Sequence, residues 1–342
     1  MRRLIAGFFL LALPVLATSA VAQNQPGPTL RAILAKGGVE CSVPSNTPGF
    51  GYPDSKGVFQ GLDVDVCRAI AAAVFGDAGR AKFVPLNGAQ RLPSLQSGQV
   101  DVVIQTLTQT QSRETANGLL FPGVNFYDGQ GFLVRKAANL KSARDLKGAS
   151  VCVSAGSTSE LNLQDWMHAN KIDYQPVVFE QVNEGRAAYD AGRCDAYSTD
   201  STQLLGMRFA MRDPAEHMVL PDIISKEPLG PAVRQGDDQW FSIVKWTLNA
   251  LIEAEEQGIT QANVEEMRAS QVPAIRRLLG QTGDFGKFMA LDNQWAFWAI
   301  KAVGNYGEMF ERNLGQGSQI KLLRGRNDLW SRGGLMYAPP IR

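Results

Sequence analysis

The segment TLTQTQSR at 106–113 places Thr106, Thr108 and Arg113 directly after an apolar run at 100–104. A guanidinium grips a carboxylate through two charge-assisted hydrogen bonds, and neighbouring threonines add hydroxyl and backbone donors. If the apolar run is a strand of a parallel sheet, these groups stand at its carboxyl end, where open α/β sheets bind ligands. The same pattern also fits a helix-starting threonine followed by a solvated arginine. SAGSTSE at 154–160 is a second strand-to-helix turn. Its Ser157 and Glu160 match a capping box, while the free N–H groups around Ser157 and Thr158 would also suit an anion. Asp200, in STDS at 198–201, ends another expected strand and can serve as an N-cap or hold an ammonium group. Arg113 in the first half and Asp200 in the second suit the carboxylate and ammonium of one amino-acid zwitterion.

Other chemistries find little support. The chain contains no H-E-x-x-H, G-x-S-x-G, G-x-x-x-x-G-K-[ST] or complete G-x-G-x-x-G. Its two histidines, His168 and His217, leave little material for a zinc site or a Ser-His-Asp triad. With 34 Lys plus Arg against 33 Asp plus Glu, it lacks the basic field of a nucleic-acid binder. No catalytic residue, metal or cofactor is expected, and binding becomes the default.

Arg2 and Arg3, an apolar run at 4–16 and the triplet at 20–22 have the layout of a cleavable signal peptide, with cleavage expected after Ala22. The mature chain would be exported and periplasmic. Four cysteines in an oxidising compartment suit two disulfides, for which three pairings exist. Proximity favours Cys41 with Cys67, and two strand-like settings favour Cys152 with Cys194. Buried free thiols are the plain alternative.

Strands are expected at 39–43, 82–85 and 100–104, separated by a helix at 63–76, with Asp63 as its N-cap and Gly76 as its stop, and a helix at 91–97. Strand 127–136 leads to a second alternating series: strands 149–153, 176–179 and 195–198 with helices 158–170, 184–191 and 201–211. Strand 229–234 returns to the first unit, and helices follow at 237–257, 261–268 and 293–313. Alternating strands and helices imply α/β units with mostly parallel sheets.

The runs GLDVDVCRAIAAAVFG at 61–76, LQSGQVD at 95–101, YDGQGF at 127–132 and EPLGPAVRQGD at 227–237 resemble the periplasmic amino-acid-binding proteins of ABC transporters. GNYGE at 304–308 and YAPP at 337–340 are similar to the general L-amino-acid-binding members. The resemblance implies a two-lobed type II periplasmic-binding-protein fold whose lobes are joined by two crossover strands. Lobe 1 would comprise 29–132 plus 234–342 and lobe 2 would comprise 133–233, closing by hinges around Phe132 and Leu229. It implies a monomer that captures L-amino acids and delivers them to an inner-membrane permease with its ATPase subunit.

In that frame Arg113 holds the α-carboxylate, Thr108 donates through hydroxyl and amide, and Thr106 offers its carbonyl to the ammonium. Asp200 binds the ammonium, and Ser157 and Thr158 are second-lobe carboxylate contacts. NGAQR at 87–91 departs from relatives with a bulkier residue near Gly88, implying a roomier pocket. Phe50 and Tyr52 are either pocket-wall or loop-packing aromatics. The competing readings are a same-fold periplasmic enzyme resembling cyclohexadienyl dehydratase, and an amino-acid sensor partner of a membrane receptor.

Overall fold

A computed structural model describes residues 25–342; the segment expected to be a signal peptide lies outside them. The first unit opens with α1 (Pro28–Lys36), β1 (Val39–Val43), the short hairpin β2 (Tyr52–Pro53) and β3 (Phe59–Gln60), and α2 (Leu62–Phe75). It continues through β4 (Ala81–Pro85), α3 (Arg91–Ser97), β5 (Val102–Val103), α4 (Gln111–Thr115), β6 (Leu119–Leu120) and β7 (Phe126–Asp128). β4, β1 and β5 form a parallel sheet in that order.

The second unit holds β8 (Gln130–Arg135), β9 (Ser150–Ser154), α5 (Thr158–Ala169), β10 (Gln175–Phe179), α6 (Val182–Asp190), β11 (Ala196–Asp200), α7 (Ser201–Phe209) and β12 (His217–Val219). Its sheet runs β10-β9-β11-β8-β12, with β8 antiparallel to both of its neighbours. The chain returns through β13 (Glu227–Leu229) and β14 (Val233–Arg234). It ends in α8 (Asp238–Glu256), α9 (Val264–Met267), α10 (Pro273–Leu278), α11 (Trp295–Val303) and α12 (Tyr306–Asn313).

The two connections lie side by side, because β7 pairs antiparallel with β13 and brings Asp128 opposite Glu227. The first crossing falls at Gly129 rather than at Phe132, since Phe132 already pairs with Ser198 and packs in the second unit's core. Residues 229–233 belong with the first unit: Ala232 bridges to Val103 and Val233 pairs with Leu120.

Burial explains the remaining departures. α2 is apolar around most of its circumference and starts one residue before Asp63, with Gly61 at φ 137° as N-cap. Asp63 is not the cap; its buried carboxylate accepts from the Thr106 N–H at 2.8 Å and from Asn125 Nδ2 at 3.0 Å. Gly76, at φ 68°, ends the helix as expected for a left-handed stop. The helix expected at 293–313 is two helices, because Gly304 leaves helical geometry and Asn305 with Glu308 forms a capping box that starts α12.

α8, α11 and α12 pack on α2 and extend the first unit's core. Beyond them, the Asn327 side chain bonds both backbone groups of Tyr127 on the crossover strand, at 2.6 and 3.1 Å. Disulfides join Cys41 to Cys67 and Cys152 to Cys194, one inside each unit. No helix among the described residues is long and apolar enough to cross a membrane.

Candidate functional site

A cavity of about 100 Å³ lies between the two units, lined from one side by 44–47, Asn87, Gly88, Arg91, Gln105, Thr106 and Thr108. Ser154, Ser157, Thr158, Asp200 and Gln203 line it from the other. Thr106, Thr108, Ser157, Thr158 and Asp200, five of the six expected ligand residues, thus meet in one space. Arg113 is not a lining side chain here. It lies buried beside the cavity, with Nη1 donating to the Thr108 carbonyl at 2.6 Å. The helix cap of that turn is Thr110, whose hydroxyl accepts from the Arg113 N–H, so Arg113 is not the solvated residue of the plain reading.

Each group is held by its strand end. Thr106 follows β5 with φ 43°, an uncommon conformation for a residue with a Cβ, and its N–H is anchored on Asp63. Burial pushes the Asp63 carboxyl up to about 7. Ser157 caps α5 by accepting from the Glu160 N–H at 3.1 Å, and its own proton goes to the Ser154 carbonyl. Glu160 reaches back to the Gly156 N–H rather than to that of Ser157, so the expected capping box is only half formed. With its hydroxyl occupied on both sides, Ser157 has its backbone to offer a ligand.

Asp200 stands at the N-cap position of α7, yet its side chain makes no capping bond. Asp128, from β7, accepts from the Thr202 N–H instead, at 3.2 Å. The Asp200 carboxylate is thereby freed toward the cavity, where Gln203 donates to it at 2.5 Å. Burial, followed by the nearby Asp128 and Glu227, raises its pKa well above the usual carboxylate value. Asp128 is pushed up to about 6, mainly by burial. A cationic ligand group would relieve this crowding of carboxylates.

Glu227 was not singled out from sequence. It is 1% exposed, and its carboxylate accepts from Thr108 Oγ1 at 2.5 Å, Thr158 Oγ1 at 3.0 Å, Asn162 Nδ2 at 2.6 Å and Ser225 Oγ at 2.6 Å. It ties together a first-unit strand end, the start of α5 and the second crossing. The Thr108 hydroxyl, expected to donate to a carboxylate ligand, donates to Glu227. The Thr108 and Thr158 hydroxyls lie 3.2 Å apart, both within hydrogen-bond reach of the Glu227 carboxylate.

The two units are in contact across the cleft. A Cβ added to Gly206 on α7 would stand 2.7 Å from the Pro48 carbonyl oxygen, and one added to Gly88 would stand 3.0 Å from that of Ala155. A side chain at Gly88 would therefore press on second-unit backbone. Phe50 packs edge-on against Phe126 in the core, and neither it nor Tyr52 lines the cavity. His168 is exposed on α5, whereas His217 begins β12 and bonds the Tyr189 hydroxyl away from the cleft at 2.9 Å.

Residues 39–262 match the family described as bacterial extracellular solute-binding proteins, family 3. The chain is 54% identical over 330 residues to the general L-amino acid-binding periplasmic protein AapJ of Rhizobium johnstonii, covering 96% of both chains. It is 50% identical over 315 residues to the glutamate/glutamine/aspartate/asparagine-binding protein BztA of Rhodobacter capsulatus, covering 92% of this chain and 93% of that one. Among solved structures, a periplasmic binding protein of an ABC transporter from Brucella ovis with glutathione bound superposes with a TM-score of 0.90. The two are 53% identical, over 92% of this chain and 99% of the other.

Proposed function

The chain belongs to family 3 of the bacterial extracellular solute-binding proteins, and from that premise we propose that it captures L-amino acids between its lobes and delivers them to an ABC transporter permease. Lobe 1 comprises 28–128 and 229–342, and lobe 2 comprises 130–226. Ligand closes them about the paired crossings. The chain is exported by a signal peptide cleaved after Ala22, acts as a monomer in the periplasm, and performs no bond-making step.

The observation that carries this reading is the Asp200 carboxylate, released from capping by Asp128 and crowded by other carboxylates at the cavity wall. It suits an ammonium, with the Thr106 carbonyl as a further acceptor, while Thr108, Ser157 and Thr158 are contacts of the carboxylate. Arg113 and the N–H groups that open α5 supply the field for the α-carboxylate. Because these groups come from both lobes, one ligand favours the closed state over the open one.

The test is calorimetry on ligand-stripped protein with the twenty L-amino acids, comparing wild type with Asp200→Asn. Stranding a buried ammonium costs about 2–5 kcal/mol, a loss of roughly 30-fold or more in affinity. Unchanged affinity in a folded variant would remove Asp200 from the site. Binding of non-amino carboxylates alone would overturn the amino-acid reading.

A further inference from the structure

Thr106 stands at the cavity wall in a conformation that its own chemistry disfavours. With φ at 43° its Cβ crowds the backbone, and a β-branched residue stays there only when its surroundings fix it. Its carbonyl accepts no backbone hydrogen bond among the described residues. The residues on either side are secured separately: the Gln105 side chain accepts from Ser42 Oγ at 2.7 Å, and the Leu107 carbonyl accepts from the Gly230 N–H at 3.0 Å. What holds the Thr106 peptide is its N–H, which donates to Asp63 Oδ2 at 2.8 Å, a carboxylate 43 residues earlier in the chain.

Asp63 is itself unfavourable where it stands. It is buried in the first turn of α2, a helix apolar around most of its circumference. Among the described residues, the ion pairs within 4.0 Å do not include it. A buried carboxyl without a counter-ion costs stability that an apolar residue would not, so its hydrogen bonds must account for it. Oδ2 takes the Thr106 N–H and Oδ1 takes Asn125 Nδ2 at 3.0 Å. Asn125 is fixed in turn, its N–H donating to the Leu229 carbonyl at 2.8 Å and its carbonyl accepting from the Tyr306 hydroxyl at 2.9 Å. Every member of this chain of bonds belongs to the first unit, so the anchor is in place before the lobes close.

We propose that Asp63 is a positioning residue for the ammonium site: by holding the Thr106 N–H it fixes the left-handed turn that presents the Thr106 carbonyl to the ligand ammonium. This assignment rests on the amino-acid reading above. Asp63 does not line the cavity and acts only through Thr106. An acceptor arranged in advance spares the ligand the ordering that binding would otherwise require.

The experiment is calorimetry on the ligand-stripped mature protein with whichever of the twenty L-amino acids binds wild type most tightly. It compares wild type, Asp63→Asn, Asp63→Ala, Thr106→Gly and the Asp63→Ala/Thr106→Gly pair. Asp63→Asn keeps an oxygen for the Thr106 N–H and loses the charge, so affinity should stay within threefold. Asp63→Ala should lose tenfold or more. Glycine enters the left-handed region without strain, so the same Asp63→Ala change should cost less than threefold when Thr106 is already glycine.

Equal losses from Asp63→Ala in both backgrounds would reduce Asp63 to general packing and overturn the positioning role. Equal losses from Asp63→Asn and Asp63→Ala would make the charge the active feature and overturn it as well. Hydrogen exchange at the Thr106 amide of wild type, read by NMR without ligand, needs no variant to fold. Protection is expected before ligand is added, and exchange at the rate of an unstructured loop would overturn the anchor. Binding of none of the twenty L-amino acids by wild type would remove the receptor reading and the positioning role with it, a failure read before any variant is made.

Discussion

Gly206→Ala separates closure from folding by moving them in opposite directions. Gly206 sits inside α7, so a methyl group there raises intrinsic helix propensity by about 1 kcal/mol. Across the cleft the same methyl would stand 2.7 Å from the Pro48 carbonyl oxygen, roughly 0.7 Å inside ordinary contact, against backbone that cannot rotate away. Overpacking of this kind costs about 1–3 kcal/mol, and only the closed state bears it. Ligand affinity should therefore fall about 5- to 150-fold, while the ligand-free protein melts at the same temperature or higher. Calorimetry with a tight-binding amino acid, paired with scanning calorimetry of the stripped protein, reads both quantities. Unchanged affinity would mean that the Pro48–Gly206 seam is not part of the bound state. A lower melting temperature without ligand would mean that Gly206 is needed within its own lobe.

Titration should likewise give two opposed slopes. Asp63, Asp128 and Asp200 have folded pKa values raised above their unfolded ones, so their contribution to stability is full below about pH 4 and is lost as pH rises, for Asp63 through about 7. A ligand ammonium requires ionised Asp200, so binding should release a proton and tighten with pH over the range where the free carboxyl is still protonated. Melting temperatures against pH, and calorimetry in two buffers of different ionisation enthalpy, measure these slopes; affinity independent of pH together with no proton release at any pH would refute the pairing. Replacing Cys152 and Cys194 with alanine opens a loop spanning 42 residues and should cost up to about 4 kcal/mol by chain entropy. Neither residue lines the cavity, so affinity per folded molecule should hold within twofold, and a larger loss would tie the disulfide to the site.

The alternating strands and helices were legible because their apolar spacing is local, and the two loops that carry Arg113 and Asp200 followed from the ends of those strands. What sequence spacing could not reveal depended on partners distant in the chain. Glu227 takes its meaning from Thr108 and Thr158, 119 and 69 residues away. Asp63 looked like a cap because it opens a helix, but the buried Thr106 N–H claimed its carboxylate. Asp200 had the sequence of a cap and the position of one, and only the arrival of Asp128 from another strand changed its role. α1 was overlooked although Pro28 at its start and Gly37 in the left-handed region at its end are both ordinary signals. Arg91 was visible as a basic residue in NGAQR, with no spacing cue to show that it would be buried at the cavity wall against the Gln105 carbonyl.

The Asn327 clasp on Tyr127 gives the C-terminal tail a lever on the crossings. Residue 327 lies beyond the span that matches the family, yet it acts as a third strand's worth of hydrogen bonding along the ribbon that must flex. Whatever strain the ribbon stores on opening is set partly by how firmly this amide holds. Among receptors with identical cavities, a changed tail could therefore retune the resting balance between open and closed forms, altering apparent affinity and release rate while every ligand contact stays the same.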